Sequence, residues 1–170
     1  MNDKNLELRE VYSKAVIHHQ KGNLETAENL YKKILDKVPN HINSQCNLGG
    51  LYAQMGETEK AMYFLQNVLK NEPNNVNANS NLGVVFTKLI EYQKAVNCHK
   101  KILQIEPNNA DAYNNLGINY KQLGETDLAK SHLYKAIEIN PNHANAYNNL
   151  GTLLKSLGEH EKALDFKKSS

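Results

Sequence analysis

The sequence predicts an all-α chain of stacked antiparallel helix pairs, and three observations predict it. The dipeptide Leu-Gly recurs at Leu48-Gly49, Leu82-Gly83, Leu116-Gly117 and Leu150-Gly151, a step of 34 residues each time. The same step links Ala27, Ala61, Ala95, Ala129 and Ala163, and it links Pro39, Pro73, Pro107 and Pro141, which are all the prolines of the 170-residue chain. An aromatic-like column, Tyr52, Phe86, Tyr120 and Leu154, keeps the period too. Such columns mean one folding unit copied several times, each burying its apolar face against the next.

The elements follow in order. Units begin near Leu8, Ile42, Val76, Ala110 and Ala144, which gives one domain over 1–170 with repeats at 8–41, 42–75, 76–109, 110–143 and 144–170. The first is degenerate, with Lys14 and Ala15 where later units have Leu-Gly. Within a unit the pattern predicts two amphipathic helices, about 42–54 and 58–71 in the second copy. Gly56, Gly124 and Gly158 follow the first helix of their units, where a left-handed residue costs least as glycine. Ile90 stands at that place in the third unit. A β-branched residue resists positive φ, so either a turn of different shape or local strain is expected there. The prolines end the second helices, and the asparagines after them suit a turn or an N-cap. Gly49, Gly83, Gly117 and Gly151 sit mid-helix at a cost of roughly 0.5–1 kcal/mol each. Close crossing by the alanine-bearing second helix is expected to offset it. The fifth unit stops at Ser170, before its proline, and leaves Leu153, Leu157 and Leu164 to line a poorly covered end. Solenoid ends need polar caps. That end therefore points to a piece of a longer protein or to self-association with another subunit.

These residues resemble the tetratricopeptide repeat family, whose pattern is an aromatic, Leu-Gly, Tyr, Gly, Ala, an aromatic and Pro at fixed offsets. Ala112-Tyr113-Asn114-Asn115-Leu116-Gly117 and its copy over 146–151 are closest to it, and the resemblance covers nearly the whole chain. It implies a right-handed superhelical solenoid of antiparallel helix pairs, with a concave face lined by the first helices.

Composition excludes several function classes. Twenty basic residues against 18 acidic ones leave no strong field for nucleic acid or membrane. Trp is absent and aromatics are 7%, so base-stacking platforms are not expected. Cys46 and Cys98 are too few and too far apart for a disulfide framework and read as reduced thiols. The polar stretch from Met1 to Glu10 has no apolar core segment of a signal peptide, and no run reaches the roughly 18 apolar residues of a membrane span. The expectation is a soluble cytoplasmic protein without nucleic-acid or membrane partners.

The residue just before Leu-Gly is asparagine every time: Asn47, Asn81, Asn115 and Asn149. Asparagine is a mediocre helix former, so stability alone does not explain it. Its amide can donate to a carbonyl and accept from an N–H, which matches a peptide backbone. Helices about 8–10 Å apart and a strand advancing about 3.3 Å per residue would place one asparagine at every third residue of a bound chain. This ladder resembles the one lining the repeat arms of O-linked N-acetylglucosamine transferases, which holds extended peptides, and the resemblance carries that role to these four positions. The bland reading is duplication in an Asn-rich, AT-rich genome. Asn114 and Asn148, one position earlier, are secondary candidates, and Lys121 and Lys155 further along the helices would meet acidic side chains or simply be solvated. Cys46 is expected to face the groove. The clamp that holds chaperone C-termini needs lysine and asparagine where Tyr12 and Val16 appear here, and without that charge it is not expected.

No phosphate loop, Gly-x-Ser-x-Gly elbow or His-Glu-x-x-His pair occurs. His18 and His19 point to different faces of a helix, and His99 and His132 read as partly buried structural groups. Glu57, Glu91, Glu125 and Glu159 suit helix N-termini and form no acid–base pair. No catalytic residue, cofactor or metal is expected. Two readings remain: an adaptor binding a protein or extended peptide in an Asn-lined groove, or the substrate-recruiting arm of a longer glycosyltransferase-like enzyme.

Overall fold

The computed structural model describes residues 3–158, with side chains from residue 6 onward. Among the described residues every regular element is an α-helix. The order is α1 (Asp3–Gln20), α2 (Leu24–Lys37), α3 (Ile42–Met55), α4 (Thr58–Asn71), α5 (Val76–Lys88), α6 (Tyr92–Ile105), α7 (Ala110–Gln122), α8 (Thr126–Ile139) and α9 (Ala144–Ser156). The fold is thus the all-α repeat of helical hairpins that the 34-residue period predicts. Ala163, Leu164 and Glu159 lie outside the described residues.

Two compact units divide the chain, Met1–Val85 and Phe86–Ser170. In the first, α1 pairs with α2 and α3 with α4, while α3 also packs on α1 and α2. Ala15, Ala27, Tyr31, Ile34, Leu48, Leu51, Ala61, Leu65 and Val68 are almost wholly buried there. In the second, α7 packs against α6, α8 and α9. Its core gathers Val96, Leu116, Tyr120, Ala129, Leu133, Leu150, Leu153 and Leu154. Leu153, expected at an uncovered end, belongs to this core, whereas Leu157 is exposed.

The mid-helix glycines do what their cost implies. A methyl group on Gly49 would lie 2.7 Å from Leu65 Cγ and 3.4 Å from the Ala61 carbonyl oxygen. On Gly117 it would lie 2.5 Å from Leu133 Cγ and 3.2 Å from the Ala129 carbonyl oxygen. The second helix therefore crosses the first at a distance that only glycine permits. Burying one leucine there stabilises by about 1.5–3 kcal/mol, more than the roughly 1 kcal/mol that a helical glycine costs. Packing wins.

The turn inside each hairpin has one geometry. Gly22, Gly56, Gly124 and Gly158 take φ of 77°, 79°, 77° and 77°. The residue after each of the first three donates its N–H five residues back: Asn23 to the His18 carbonyl, Glu57 to Tyr52 and Glu125 to Tyr120, all at 2.9 Å. That bond closes the first helix and launches the second. Ile90 makes the same turn at φ +64°, with Glu91 N–H on the Phe86 carbonyl at 2.9 Å. The turn is not reshaped. The β-branched residue is held in a left-handed conformation, and 72% of it is exposed, so no burial compensates.

Two outcomes follow. Ile90→Gly should raise unfolding free energy by about 1 kcal/mol in a denaturant titration, and an unchanged or lower value would show the turn unstrained. Gly117→Ala should lower it by about 1–2 kcal/mol, overpacking against Leu133 outweighing the gain in helix propensity. A stabilised Gly117→Ala protein would refute the close crossing.

Candidate peptide-binding face

The loop before each first helix fixes where that helix starts. His41, Asn75, Asn109 and His143 follow the prolines, and their backbone N–H groups donate to Val38, Glu72, Glu106 and Asn140 carbonyls at 3.0, 3.0, 3.1 and 3.0 Å. Their side chains then cap the helix. Asn75 Oδ1 accepts from Ala78 N–H at 2.9 Å and Asn109 Oδ1 from Ala112 N–H at 2.8 Å, while His41 Nδ1 accepts from Ser44 N–H at 3.2 Å and His143 Nδ1 from Ala146 N–H at 3.4 Å. Histidine replaces asparagine as the cap in two of the four. The acceptor role places the proton of His143 on Nε2, which lies 3.1 Å from Asp111 Oδ1 without the alignment of a hydrogen bond.

With the starts fixed, an equivalent stripe of α3, α5, α7 and α9 reaches solvent. It runs through 43, 47, 50 and 54 on α3, and through 77, 81, 84 and 88 on α5. On α7 it runs through 111, 115, 118 and 122, and on α9 through 145, 149, 152 and 156. Every member is half-buried or exposed, and the spacing is that of one helix face. Asn43, Asn47, Gln54, Asn77, Asn81, Asn115, Gln122, Asn145 and Asn149 make it a stripe of amides. Each ladder asparagine is half-buried within it.

The ladder amides are also held from behind. Asn47 Nδ2 donates to Tyr12 Oη at 3.0 Å, and Asn149 Nδ2 donates to Asn114 Oδ1 at 2.8 Å. The Cys46 thiol donates to Asn75 Oδ1 at 4.0 Å, and Asn81 Nδ2 would lie 2.8 Å from a methyl group on Gly50, so glycine makes room for the amide. Tyr12, Cys46 and Asn114 occupy one column, the position before the ladder residue in the preceding unit. Asn114, expected to face a partner, is 6% exposed and instead links the ladder, its Nδ2 donating to Asn115 Oδ1 at 3.4 Å. Its counterpart Asn148 is exposed, Lys121 is half-buried and Lys155 is exposed. Cys46 does not face an open groove as expected. It is 4% exposed, and burial pushes its thiol up to about 11, which leaves it protonated and unreactive. Sequence reasoning missed the back-bonding, although a column of Tyr, Cys and Asn, all hydrogen-bonding types, was a visible signal.

Asn119 adds a brace below the ladder. It is 1% exposed, takes Thr87 Oγ1–H on Oδ1 at 2.9 Å and donates to the Asn115 carbonyl at 2.8 Å. Leu51, Val85 and Leu153 fill the same column elsewhere.

Comparison with known proteins agrees with the repeat of helical hairpins. Models of the tetratricopeptide repeat match residues 18–82, 74–142 and 109–170. The chain belongs to the tetratricopeptide repeat family. No curated protein matches it. Among solved structures it is similar to MamA, at 27% identity and TM-score 0.76 over 91% of each chain. It is similar in fold to a MamA fragment from Desulfovibrio magneticus RS-1, at 21% identity and TM-score 0.80 over 95% of this chain and 91% of that one. It also shares the fold of TTC0263, a thermophilic tetratricopeptide protein of Thermus thermophilus, at 18% identity and TM-score 0.83 over 94% and 87% of the two chains.

Four lysines on the second helices of this tetratricopeptide chain pair with a carboxylate three or four residues away. Lys32 pairs with Glu28, Lys60 with Glu57, Lys94 with Glu91 and Lys135 with Glu138, all at 2.5–2.6 Å. Glu57, Glu91 and Glu125 are N-cap residues, yet their side chains accept no capping bond. A shallow cleft of about 430 Å³ beside α8 is lined by Tyr113, Ser131, His132, Tyr134, Lys135 and Glu138. Its His132 Nδ1 donates to the Leu128 carbonyl at 2.7 Å while the ring lies against Tyr120. Among the described residues no three His, Cys, Asp or Glu side chains gather as metal ligands, and no helix is long and apolar enough to cross a membrane.

His99 is the odd member of its column, where Tyr31, Leu65 and Leu133 stand in other units. It is 1% exposed, and neither ring nitrogen has a protein partner among the described residues. Burial pushes its pKa down from an ordinary 6.5 to about 4. The unfolded chain takes up a proton below about 6.5 and the folded chain only below about 4. Stability is therefore lost as pH falls through that window, by about 3 kcal/mol in all. His99→Leu should abolish that slope and stabilise the protein at pH 5. Identical pH profiles of unfolding free energy for the two proteins would refute the buried neutral imidazole.

Proposed function

We propose that this chain is a non-catalytic interaction scaffold that binds an extended peptide or protein segment along the amide stripes of α3, α5, α7 and α9. One observation carries the reading: on each of these helices the solvent-reaching face contains the ladder asparagine, while the leucine that follows it is turned into the packing. Amides that both donate and accept suit a backbone, whose donors and acceptors recur whatever the side chains are. Asn47, Asn81, Asn115 and Asn149 are the principal contacts, with Asn148, Lys121 and Lys155 flanking them.

The back-bonds serve the same end. A ladder amide pinned at one donor keeps its other N–H and its oxygen in a fixed direction, so less side-chain entropy is lost when a partner arrives. Tyr12 and Asn114 are positioning residues in this scheme. Asn114, inaccessible itself, orients Asn115 and Asn149.

The test uses the intact chain and a variant with Asn47, Asn81, Asn115 and Asn149 changed to alanine, each shown to be folded by circular dichroism. Loss of four polar contacts of about 0.5 kcal/mol or more apiece should weaken capture of the proteins that bind the intact chain by about 30-fold or more. Equal recovery of the same proteins by both would refute the ladder as the binding element. Tyr12→Phe, which removes only the anchor of Asn47, should weaken binding by a few-fold without altering the set recovered.

A further inference from the structure

One column of the amide stripes changes in charge and not in shape. Its residues are Asn43 on α3, Asn77 on α5 and Asn145 on α9, but Asp111 on α7. The eight stripe positions of α7 and α9 therefore hold a single charged residue. Its side chain is 86% exposed, and among the described residues no lysine or arginine pairs with it. Asn109 already caps α7 through the Ala112 N–H, so the carboxylate is not needed as a cap. Attraction to a helix N-terminus favours an acid in this turn. That attraction acts on every first helix alike and does not explain one carboxylate in a column of asparagine.

Two features beside Asp111 point to a ligand. His143 is 8% exposed, and its Nε2 has no hydrogen-bond partner although it lies 3.1 Å from Asp111 Oδ1. Nδ1 accepts the Ala146 N–H, which places the ring proton on Nε2 and leaves the charge of Asp111 unbalanced. A small turn of the carboxylate closes the bond to His143 on one oxygen and keeps the other for a donor arriving from solvent. There is room for that donor. A hollow of about 500 Å³ runs along residues 106–111, from the end of α6 to the start of α7, with Glu106 and Asp111 on its rim.

We infer that the extended segment held by α7 and α9 carries a basic side chain, with its backbone on Asn115 and Asn149 and its cationic end on Asp111. The inference rests on the ladder reading above and names the chemistry of its ligand. Asp111 precedes Asn115 by one turn on the same face, about 6 Å along the helix axis. A lysine or arginine side chain leaving a backbone at Asn115 spans that distance. α7 and α9 pack against each other within one compact unit, so all three contacts belong to the same unit. The net charge of the chain is +2, so a general field would disfavour a cationic segment, and the preference comes from the placed carboxylate.

The experiment measures binding of two labelled 12-residue peptides, (Lys-Ser-Ala)4 and (Gln-Ser-Ala)4, by fluorescence anisotropy at low salt. Four folded proteins are compared: the intact chain, Asp111→Asn, Glu138→Gln as a control that removes the same charge from α8, and the four-fold Asn→Ala ladder variant. The intact chain should bind the lysine peptide about threefold more tightly than the glutamine peptide, and added salt should erase the difference. Asp111→Asn restores the residue of the other three helices and should bind both peptides alike, while Glu138→Gln keeps the preference. If the intact chain binds both peptides alike and only the ladder variant loses them, the basic preference is overturned and the ladder reading stands. A lysine preference that survives in Asp111→Asn, or that Glu138→Gln abolishes equally, also overturns it. If the intact chain binds neither peptide, the ladder reading falls and this inference falls with it.

Discussion

The close crossing of the two helices in the second and fourth hairpins is the contact on which the rest depends. Gly49 under Leu65 and Gly117 under Leu133 let backbone approach side chain at a distance that any Cβ would block. Each crossing buries an alanine and a leucine completely. The apolar area so removed from water exceeds the propensity lost by placing glycine in a helix. The arrangement is local, and it is repeated because each hairpin alone cannot cover its own apolar face.

Once hairpins nest, a residue repeated once per unit becomes a row, and the rows have distinct duties. The turn glycines close one helix and open the next through a bond that spans five residues. The residues after proline cap the following first helix and set its rotation, which in turn decides which stripe meets solvent. On that stripe the ladder asparagines are fixed by partners one helix pair earlier, Tyr12 for Asn47 and Asn114 for Asn149. Within each unit these amides are thus held in place by the same stacking that makes the fold.

The third hairpin departs from the consensus at several levels. Ile90 holds a backbone conformation that suits glycine, and His99 buries an imidazole without a protein partner where Leu65 and Leu133 stand in other units. Each feature costs stability, by strain in one case and by desolvation in the other. The buried Asn119 differs from these, because Thr87 and the Asn115 carbonyl satisfy it. A satisfied buried amide fixes register at little cost, whereas an unsatisfied ring leaves the element open to acid.

By itself the sequence determined the all-α class, the 34-residue unit, the helix starts at Ile42, Val76, Ala110 and Ala144, and the left-handed turns at Gly56, Gly124 and Gly158. Periodicity, proline and glycine are local signals that neighbouring residues do not override. It also singled out the asparagine column, since repetition is visible without coordinates. Tertiary structure alone decided what that column touches. The burial of Cys46, the linking role of Asn114 and the isolation of His99 all depend on residues about 35 positions away or on the next helix pair. A single period reports that side chains recur, but the rotation of one helix against another decides whether they meet a neighbour, the core or solvent.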